Sequence, residues 1–284
     1  MTARRTVVGG VLAALAAACS PARLLSGLDR VTGGGAGSRR GASGVPFGSH
    51  GQRLDVYAPA GEGPWPVVVF FYGGSWQAGT RGGYAFAGRA LAGQGFVTVV
   101  PDYRKVPAIR FPAFVEDGAE AVAWTAANIA KWGGRPEAIG VAGHSAGAHI
   151  AVLLALDPRY LAAAGAPGVI KAGVGLAGPY DFLPLTGAAI PAMQGADPET
   201  TQPIRFARRD APPLLLVTGS DDTLVRPRNA YRLAARLKEL GAPAELKDYP
   251  GLDHSEVVMA LSQPFRGKGS VLADLSGFLH GVLG

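Results

Sequence analysis

Apolar runs that are typical of buried strands recur along most of the chain. A short continuous apolar run is typical of a strand that a parallel sheet buries on both faces. Such runs occupy residues 67–71, 96–100, 139–142, 172–176 and 214–217. Residues 53–57 instead alternate apolar and polar positions, which predicts an antiparallel strand. Residues 244–249 form the last predicted strand.

Apolar residues at helical spacing fill the intervals between these runs. One stripe comprises Val115, Ala119, Val122 and Ala126, and another comprises Ala230, Leu233, Leu237 and Leu240. Residues 150–156 are apolar on all sides, which predicts a helix buried against the sheet. Strands that alternate with helices predict an α/β fold, with a mostly parallel sheet and helices on both faces.

The composition fits one folded domain behind a basic N-terminal segment. Of the 284 residues, 48% are hydrophobic and 17% are charged, which excludes disorder of the whole chain. We therefore predict that residues 46–284 form a single α/β domain. Residues 1–44 contribute +5 of the net charge of +6, so nucleic acid is not an expected partner of the folded part. A single cysteine excludes a disulfide within the monomer and a thiolate zinc cluster.

Residues 1–19 have the pattern of an export signal. Arg4 and Arg5 precede an apolar stretch, residues 6–18, that is too short to span a bilayer as a helix. The small residues before Cys19 resemble a bacterial lipobox, in which the cysteine becomes the lipidated first residue of the mature chain. This resemblance implies a lipoprotein of the cell envelope, held at the membrane by a lipid anchor on Cys19. Ordinary cleavage after the alanine run is the alternative, and it leaves a periplasmic or secreted protein with a free thiol.

Residues 20–45 are rich in glycine and serine and contain little that a core could bury. This composition predicts a flexible tether between the export signal and the folded domain. Its arginines either favour anionic lipid headgroups or are incidental charges of a solvated linker.

A sharp turn with a central serine follows the third apolar run. The sequence Gly143-His144-Ser145-Ala146-Gly147 matches the pattern G-x-S-x-G, and an apolar helix follows it. In this strand–turn–helix context the serine hydroxyl projects above the carboxyl ends of the strands, and the glycines leave room for the turn. Ser145 is therefore the predicted nucleophile.

A serine hydroxyl is a weak nucleophile that needs a base, and the base needs a carboxylate to orient it. In this architecture the acid and then the histidine follow the serine along the chain. Of the five histidines, His254 alone follows the last predicted strand in a glycine-containing loop, so it is the predicted base. Asp221 and Asp222 both follow the fifth apolar run, and the spacing G-x-x-D-x-x-V favours Asp222 as the carboxylate that orients His254.

A pair of glycines after the first buried strand supplies candidate donors for an oxyanion. Adjacent glycines allow the backbone to approach a substrate oxygen closely. We predict an oxyanion hole made by the backbone of Gly73, Gly74 and Ala146.

These motifs resemble those of the α/β-hydrolase superfamily, and in particular its small carboxylesterases with an H-G-G-x-W loop. That group includes feruloyl-esterase-like, acetyl-esterase-like and formamidase-like enzymes, and the likeness extends over residues 50–282. It implies a triad of Ser145, His254 and Asp222, without a large lid, a metal or an organic cofactor.

The chain departs from this group at one position, where Tyr72 replaces the histidine that precedes the two glycines. Its phenol is expected to replace the hydrogen bond of that histidine, and the geometry of the loop and the acyl preference depend on this exchange. The resemblance also implies that Asp102, Asp117 and Asp181 are structural carboxylates.

The resulting expectation is a serine hydrolase that cleaves small carboxylic esters through an acyl-enzyme. Trp76 and Tyr180 are candidate walls of the substrate pocket, although each fits the core equally well, and residues 182–206 are expected to line the pocket. A small-molecule ester is the expected partner, and no protein partner is predicted. Two alternatives remain open: an amide hydrolase of arylformamidase-like or peptidase-like activity, and a catalytically silent envelope lipoprotein that uses the fold for binding.

Overall fold

The computed structural model describes residues 21–284, and an eight-stranded sheet forms the centre of this part of the chain. The strands are β1 (Ser38–Phe47), β2 (Gln52–Pro59), β3 (Trp65–Phe71), β4 (Val97–Pro101), β5 (Gly134–His144), β6 (Ile170–Leu176), β7 (Leu214–Gly219) and β8 (Ala244–Tyr249). Their order in the sheet is β1-β2-β4-β3-β5-β6-β7-β8. The predicted export signal and Cys19 lie outside the described residues.

The sheet is parallel except at one end. β2 runs antiparallel to its neighbours β1 and β4, and β3 to β8 are parallel to one another. In the centre, Val69 pairs with Val99 on one side and with Val141 on the other, and all three side chains are fully buried. Strands covered on both faces must be apolar throughout, and this requirement explains the continuous runs in the sequence. The predicted α/β fold is confirmed.

Helices connect most of the strands. They are α1 (Pro21–Val31), α2 (Ala85–Gly93), α3 (Ala113–Asn128), α4 (Ala146–Leu156), α5 (Pro158–Ala163), α6 (Ala189–Met193), α7 (Arg228–Glu239), α8 (His254–Met259) and α9 (Val271–Leu283). Short 3₁₀ segments occupy Ile129–Trp132, Pro198–Thr201, Pro203–Phe206 and Gln263–Lys268. Every residue of α4 is buried, as the apolar segment predicted. No helix within residues 21–284 is long and apolar enough to cross a bilayer.

Two of these helices cover opposite faces of the central strands. A side chain at Gly173 would contact Ala155 of α4, whereas one at Gly140 would contact Leu279 of α9. Gly140 pairs with Ala172, the neighbour of Gly173 in β6, so the two glycines belong to opposite faces of the sheet. Glycine at these positions lets both helices pack closely on the sheet.

The prediction of a flexible tether at residues 20–45 is wrong for the residues that the structure describes. Pro21–Val31 forms α1, and Ser38–Phe47 forms the edge strand β1, which pairs with β2 over its whole length. The folded domain therefore begins before residue 46. Composition misled here because the polar side chains of α1 bind the body of the domain, and an edge strand is held by its backbone rather than by apolar side chains.

The parallel arrangement brings three loops to one edge of the sheet. β3, β5 and β7 point the same way, so the segments that follow their carboxyl ends lie side by side. The loop after Phe71, the turn at Ser145 and the loop after Gly219 are these segments.

Candidate active site

Ser145 lies in a strained turn between β5 and α4. Its φ of +54° is in the left-handed region, which costs a residue with a side chain ~1–2 kcal/mol. Its backbone N–H donates to the carbonyl of Leu176 at 2.9 Å and so anchors the turn on β6. A side chain at Gly143 would lie 2.3 Å from the carbonyl oxygen of Gly147, and one at Gly147 would lie 2.1 Å from that of Phe71. Only glycine fits at both flanking positions.

The structure brings Ser145, His254 and Asp222 together from three separate segments. Nε2 of His254 lies 2.9 Å from Oγ of Ser145, and its Nδ1 lies 2.7 Å from Oδ2 of Asp222. Because a carboxylate only accepts, Nδ1 carries the proton and Nε2 is free to accept the proton of the serine hydroxyl. The three groups are in the order that general-base activation of the serine requires.

Buried hydrogen bonds hold the Asp222 carboxylate in place. Its side chain is fully buried, and its Oδ1 accepts the backbone N–H groups of Leu224 and Val225 at 2.9 and 2.7 Å. Its neighbour Asp221 is exposed and accepts a hydrogen bond from Ser220 at 2.8 Å. Of the two adjacent carboxylates, only Asp222 contacts His254.

The backbone of His254 is fixed by the helix that it begins. Asp253 caps α8 by accepting the N–H groups of Ser255 and Glu256, each at 2.8 Å, and the carboxylate of Glu256 accepts the N–H of Asp253. This reciprocal capping box satisfies the free N–H groups of the first turn. The imidazole thus extends from a well-defined helix start.

A second histidine, His144, contacts the backbone of His254, and no motif in the sequence predicts this contact. Its Nε2 lies 3.0 Å from the carbonyl oxygen of His254, and its Nδ1 lies 3.0 Å from the hydroxyl of Tyr84. Burial, together with the nearby His254, lowers the pKa of His144 to about 3, so the ring is neutral. Its position next to the serine is the only sequence signal that could have drawn attention to it.

The loop after β3 has an unusual backbone. Gly74, Ser75 and Trp76 have φ values of +139°, +54° and +58°, and two of these residues carry side chains. The carbonyl of Gly74 accepts the N–H groups of Gln77 and Ala78, which closes the turn. A side chain at Gly74 would lie 2.4 Å from the carbonyl oxygen of Ala78, so this position requires glycine.

A small cavity of about 170 Å³ opens beside Ser145. It is lined by Ser75, Trp76, Ser145, Ala146, Pro179, Phe182, Thr186, Gly187, Ala188, Ala189, Leu224 and Val225. The backbone N–H groups of Ser75 and Ala146 donate to no protein acceptor within residues 21–284. Of the three predicted oxyanion-hole residues, Ala146 lines the cavity, whereas Gly73 and Gly74 do not. Gly73 packs against His144 and Tyr84, and Gly74 packs against the carbonyl of Ala78, so Ser75 and Trp76 are the residues of this loop that reach the cavity. A larger groove of about 660 Å³ lies between α3 and α5 and contains none of the triad residues.

Trp76 forms part of the cavity wall, as predicted, but Tyr180 does not. Tyr180 is fully buried, and its backbone N–H donates to the side chain of Asn229 at 3.0 Å. Its phenol packs against Gly175 and Gly178, where a side chain would overlap it. Within residues 182–206, only Phe182 and residues 186–189 reach the cavity.

Comparison with known proteins places this chain in a family. Residues 54–237 match the family model described as BD-FAE. The chain belongs to the BD-FAE family. Esterase LipC of Mycobacterium tuberculosis (strain ATCC 25618 / H37Rv) is 34% identical to it over 214 residues, which cover 67% of this chain and 53% of LipC. The probable isoprenylcysteine alpha-carbonyl methylesterase ICMEL1 of Oryza sativa subsp. japonica is 30% identical over 255 residues, or 80% of this chain and 60% of that protein.

This BD-FAE chain thus spans between about half and three fifths of the length of these curated relatives. Two solved structures share its fold. A truncated carbohydrate esterase from gut microbiota has a TM-score of 0.73 at 20% identity and covers 86% of this chain and 95% of its own. The apo form of Thermogutta terrifontis esterase 2 has a TM-score of 0.72 at 23% identity and covers 87% of this chain and 95% of its own.

In this BD-FAE protein, Tyr72 supports the strained loop that follows β3. Its hydroxyl donates to Asp102 at 3.0 Å, and its ring stacks on Tyr103 with 4.6 Å between the centroids. The hydroxyl of Tyr103 in turn donates to the carbonyl of Tyr72 at 2.8 Å. Burial raises the pKa of Tyr72 far above its ordinary value, so the phenol remains a neutral donor.

Each of the three carboxylates that the resemblance predicts to be structural forms an ion pair with an arginine. Asp102 binds Arg81, Asp117 binds Arg104, and Asp181 binds Arg232. These pairs join the loops after β4 and β6 to neighbouring segments. The structure places none of the three carboxylates in the cavity lining.

Proposed function

We propose that this protein is a serine carboxylesterase that cleaves small carboxylic esters. The observation that carries the proposal is the pair of hydrogen-bond distances that join Ser145, His254 and Asp222, 2.9 and 2.7 Å. Membership of the BD-FAE family and similarity to named esterases support the same activity.

The reaction proceeds through two acyl transfers. Oγ of Ser145 attacks the ester carbonyl carbon while Nε2 of His254 accepts the hydroxyl proton. The carbon–oxygen bond to the alcohol then breaks, and the imidazolium returns its proton to the departing alkoxide. Water adds to the acyl-enzyme in the same way, with His254 again as the base, and the carboxylic acid leaves. Asp222 stabilises the imidazolium of His254 in both acyl transfers.

The negative oxygen of each tetrahedral intermediate needs hydrogen-bond donors that are already in position. The N–H groups of Ser75 and Ala146 meet this need, since they border the cavity at Ser145 and have no other acceptor within residues 21–284. In this proposal Gly74 shapes the turn, and Ser75 takes the donor role that was predicted for Gly73 and Gly74.

The cavity favours short acyl groups. A volume of about 170 Å³ lies below the ~300–1,000 Å³ that is typical of pockets for drug-sized ligands. Trp76, Phe182 and Leu224 give it a largely apolar wall, which suits an unbranched aliphatic acyl chain. Acetyl to butyryl esters are therefore the proposed substrates.

Hydrolysis of p-nitrophenyl acetate tests the proposal. Ser145→Ala is expected to abolish it, and Ser220→Ala, which removes an exposed serine outside the triad, is the matched control. Activity that survives unchanged in Ser145→Ala would reject the mechanism. A fluorophosphonate probe should label the wild-type serine, and absence of labelling would favour the silent binding protein.

Amide hydrolysis is the second candidate function, since the same triad can attack an amide carbonyl. The named relatives that this chain resembles are esterases, which favours the ester. Rates on matched acetate ester and acetanilide substrates separate the two. A higher rate on the anilide would reverse the assignment.

We also propose that the chain is exported and reaches the cell envelope. The support is the sequence pattern of residues 1–19, with Cys19 as the site of a lipid anchor. Palmitate labelling in a bacterial host should mark the wild-type chain and not Cys19→Ser. Equal labelling of both chains would reject the anchor.

A further inference from the structure

Helix α1 leaves a stripe of apolar side chains exposed. This stripe comprises Leu24, Leu28 and Val31, which are 52%, 45% and 80% exposed. The inward face combines the buried polar residues Ser26 and Asp29, which are 7% and 1% exposed, with Ala22 and Leu25, which are half-buried against the core. Spacings of four and three residues place the three apolar side chains on one stripe along the helix. A helix of a soluble domain ordinarily presents its apolar face to the core.

Polar contacts fix this orientation. Oγ of Ser26 donates to the carbonyl of Gly83 at 2.7 Å and accepts the N–H of Phe86 at 3.1 Å. The Asp29 carboxylate binds the guanidinium of Arg89 through Oδ2 and accepts the N–H of Gln263 at 2.8 Å through Oδ1. Rolling α1 to bury Leu24 and Leu28 would break all of these contacts, so they hold the stripe on the outward side of the domain.

Basic residues flank the stripe. Arg30 projects from the side of α1, about 100° around the helix from Val31, and Arg39 is exposed near the start of β1, the next element along the chain. The first 44 residues carry a net charge of +5. Apolar side chains bordered by basic ones are typical of a helix that lies in the interface of an anionic bilayer.

The position of α1 along the chain also indicates contact with a membrane. The helix begins at Pro21, two residues after Cys19, and the apolar residues 6–18 precede that cysteine. A second copy of the chain is a poor occupant, because three partly exposed aliphatic side chains offer far less than the ~800 Å² per partner of a stable interface.

We infer that α1 is a membrane-interface helix whose Leu24, Leu28 and Val31 insert between the headgroups of an anionic bilayer. The inference is independent of the proposed esterase activity, and it holds whether or not Cys19 is acylated. It makes the domain lie against the membrane instead of being suspended from a tether.

Binding to lipid vesicles tests the inference with the full chain carrying Cys19→Ser, which removes the anchor from every arm. The test variant adds Leu24→Gln, Leu28→Gln and Val31→Gln. The matched control adds Leu246→Gln, which removes a 39% exposed leucine from β8 at the other edge of the sheet. Each protein is floated with vesicles of phosphatidylcholine and phosphatidylglycerol, and with phosphatidylcholine alone. Thermal unfolding establishes that each variant is folded, even if the esterase proposal fails.

The triple variant is expected to lose about tenfold or more in partition to the anionic vesicles, and the control to bind like the parent. Arg30→Gln should weaken binding about fivefold on the anionic vesicles only, and added salt should reduce this difference. Equal binding of the triple variant and the parent would overturn the inference. So would a parent that elutes as a dimer in gel filtration and becomes a monomer in the triple variant, since the stripe would then join two copies.

Discussion

Nε2 of His144 lies 3.0 Å from the backbone carbonyl oxygen of His254. Because a carbonyl only accepts, Nε2 of this neutral ring carries the proton, and Nδ1 accepts the hydroxyl of Tyr84. The chain of two hydrogen bonds joins α2, the serine turn and the start of α8. It makes His144 a positioning residue: His144 holds the backbone of His254 while Asp222 holds the ring, and His144 is not part of the cavity lining.

Replacing His144 by leucine should lower kcat without a large change in KM. The half-buried carbonyl of His254 would lose the hydrogen bond from His144, at a cost of about 1 kcal/mol, and the imidazole would no longer be held at 2.9 Å from Ser145. Tyr84→Phe, which keeps His144 but removes its partner, should have a smaller effect of the same kind. Steady-state kinetics on p-nitrophenyl acetate give both parameters, and an unchanged kcat in a folded His144→Leu protein would contradict the role.

Two neighbouring aspartates provide a matched pair of variants. Asp222→Asn should reduce kcat about 10⁴-fold, because an amide that donates to Nδ1 stabilises the wrong tautomer of His254. Asp221→Asn changes an exposed carboxylate that contacts Ser220, and it should leave kcat unaltered. A comparable loss in both variants would show that the carboxylate of Asp222 has no special relation to His254.

Shortening Phe182 should shift the preference for acyl length. Phe182→Ala removes most of one wall of the cavity, so kcat/KM for p-nitrophenyl octanoate should rise about tenfold relative to the acetate. Ile190→Ala serves as the control, because this neighbour of the lining residue Ala189 is 56% exposed and is not part of the lining. If the ratio of the two rates stays constant in Phe182→Ala, the acyl chain lies elsewhere.

Acid should destabilise the fold partly through His149. Burial lowers the pKa of His149 to about 4, although its hydrogen bond to the carbonyl of Thr201 opposes this shift. An unfolded histidine titrates near pH 6.5, so between these values the unfolded chain binds a proton that the folded chain does not. The stability that neutral His149 contributes is complete above about pH 6.5 and is lost as the pH falls toward 4, by at most ~1.4 kcal/mol per pH unit.

His149→Gln checks this dependence. The variant removes the titrating ring, so the fall in the urea midpoint between pH 7 and pH 5 should be smaller than in the wild type. Other groups titrate equally in both proteins, and the difference between them isolates His149. Parallel curves for the two proteins would exclude the contribution.

The local part of the site was predictable because short-range sterics decide it. The turn at Ser145 needs a strand before it, a helix after it and glycine at both flanks, and all of these are readable along a dozen residues. Continuous apolar runs likewise predicted the five strands from β3 to β7, since burial on both faces leaves such a run, and alternation predicted β2.

Contacts between segments that are far apart in the chain decided the features that the sequence did not predict. Residues 20–45 have the composition of a linker, yet Asp29 finds Arg89 and Gln263 far along the chain and becomes part of the domain. Tyr180 and Phe182 are aromatic residues two positions apart, and packing sends the first into the core and the second to the cavity. The link from His144 to His254 joins residues 110 positions apart, and no spacing rule marks it.

By itself the amino-acid sequence determined the alternation of strands and helices, the serine turn and the chemical type of each triad member. Backbone sterics and the periodicity of burial act over a few residues, so they are visible in one dimension. The tertiary structure alone decided which side chains meet, which face of α1 is left outside and which N–H groups border the cavity. Those outcomes depend on how segments far apart in the chain compete for the same buried space and the same hydrogen-bond partners.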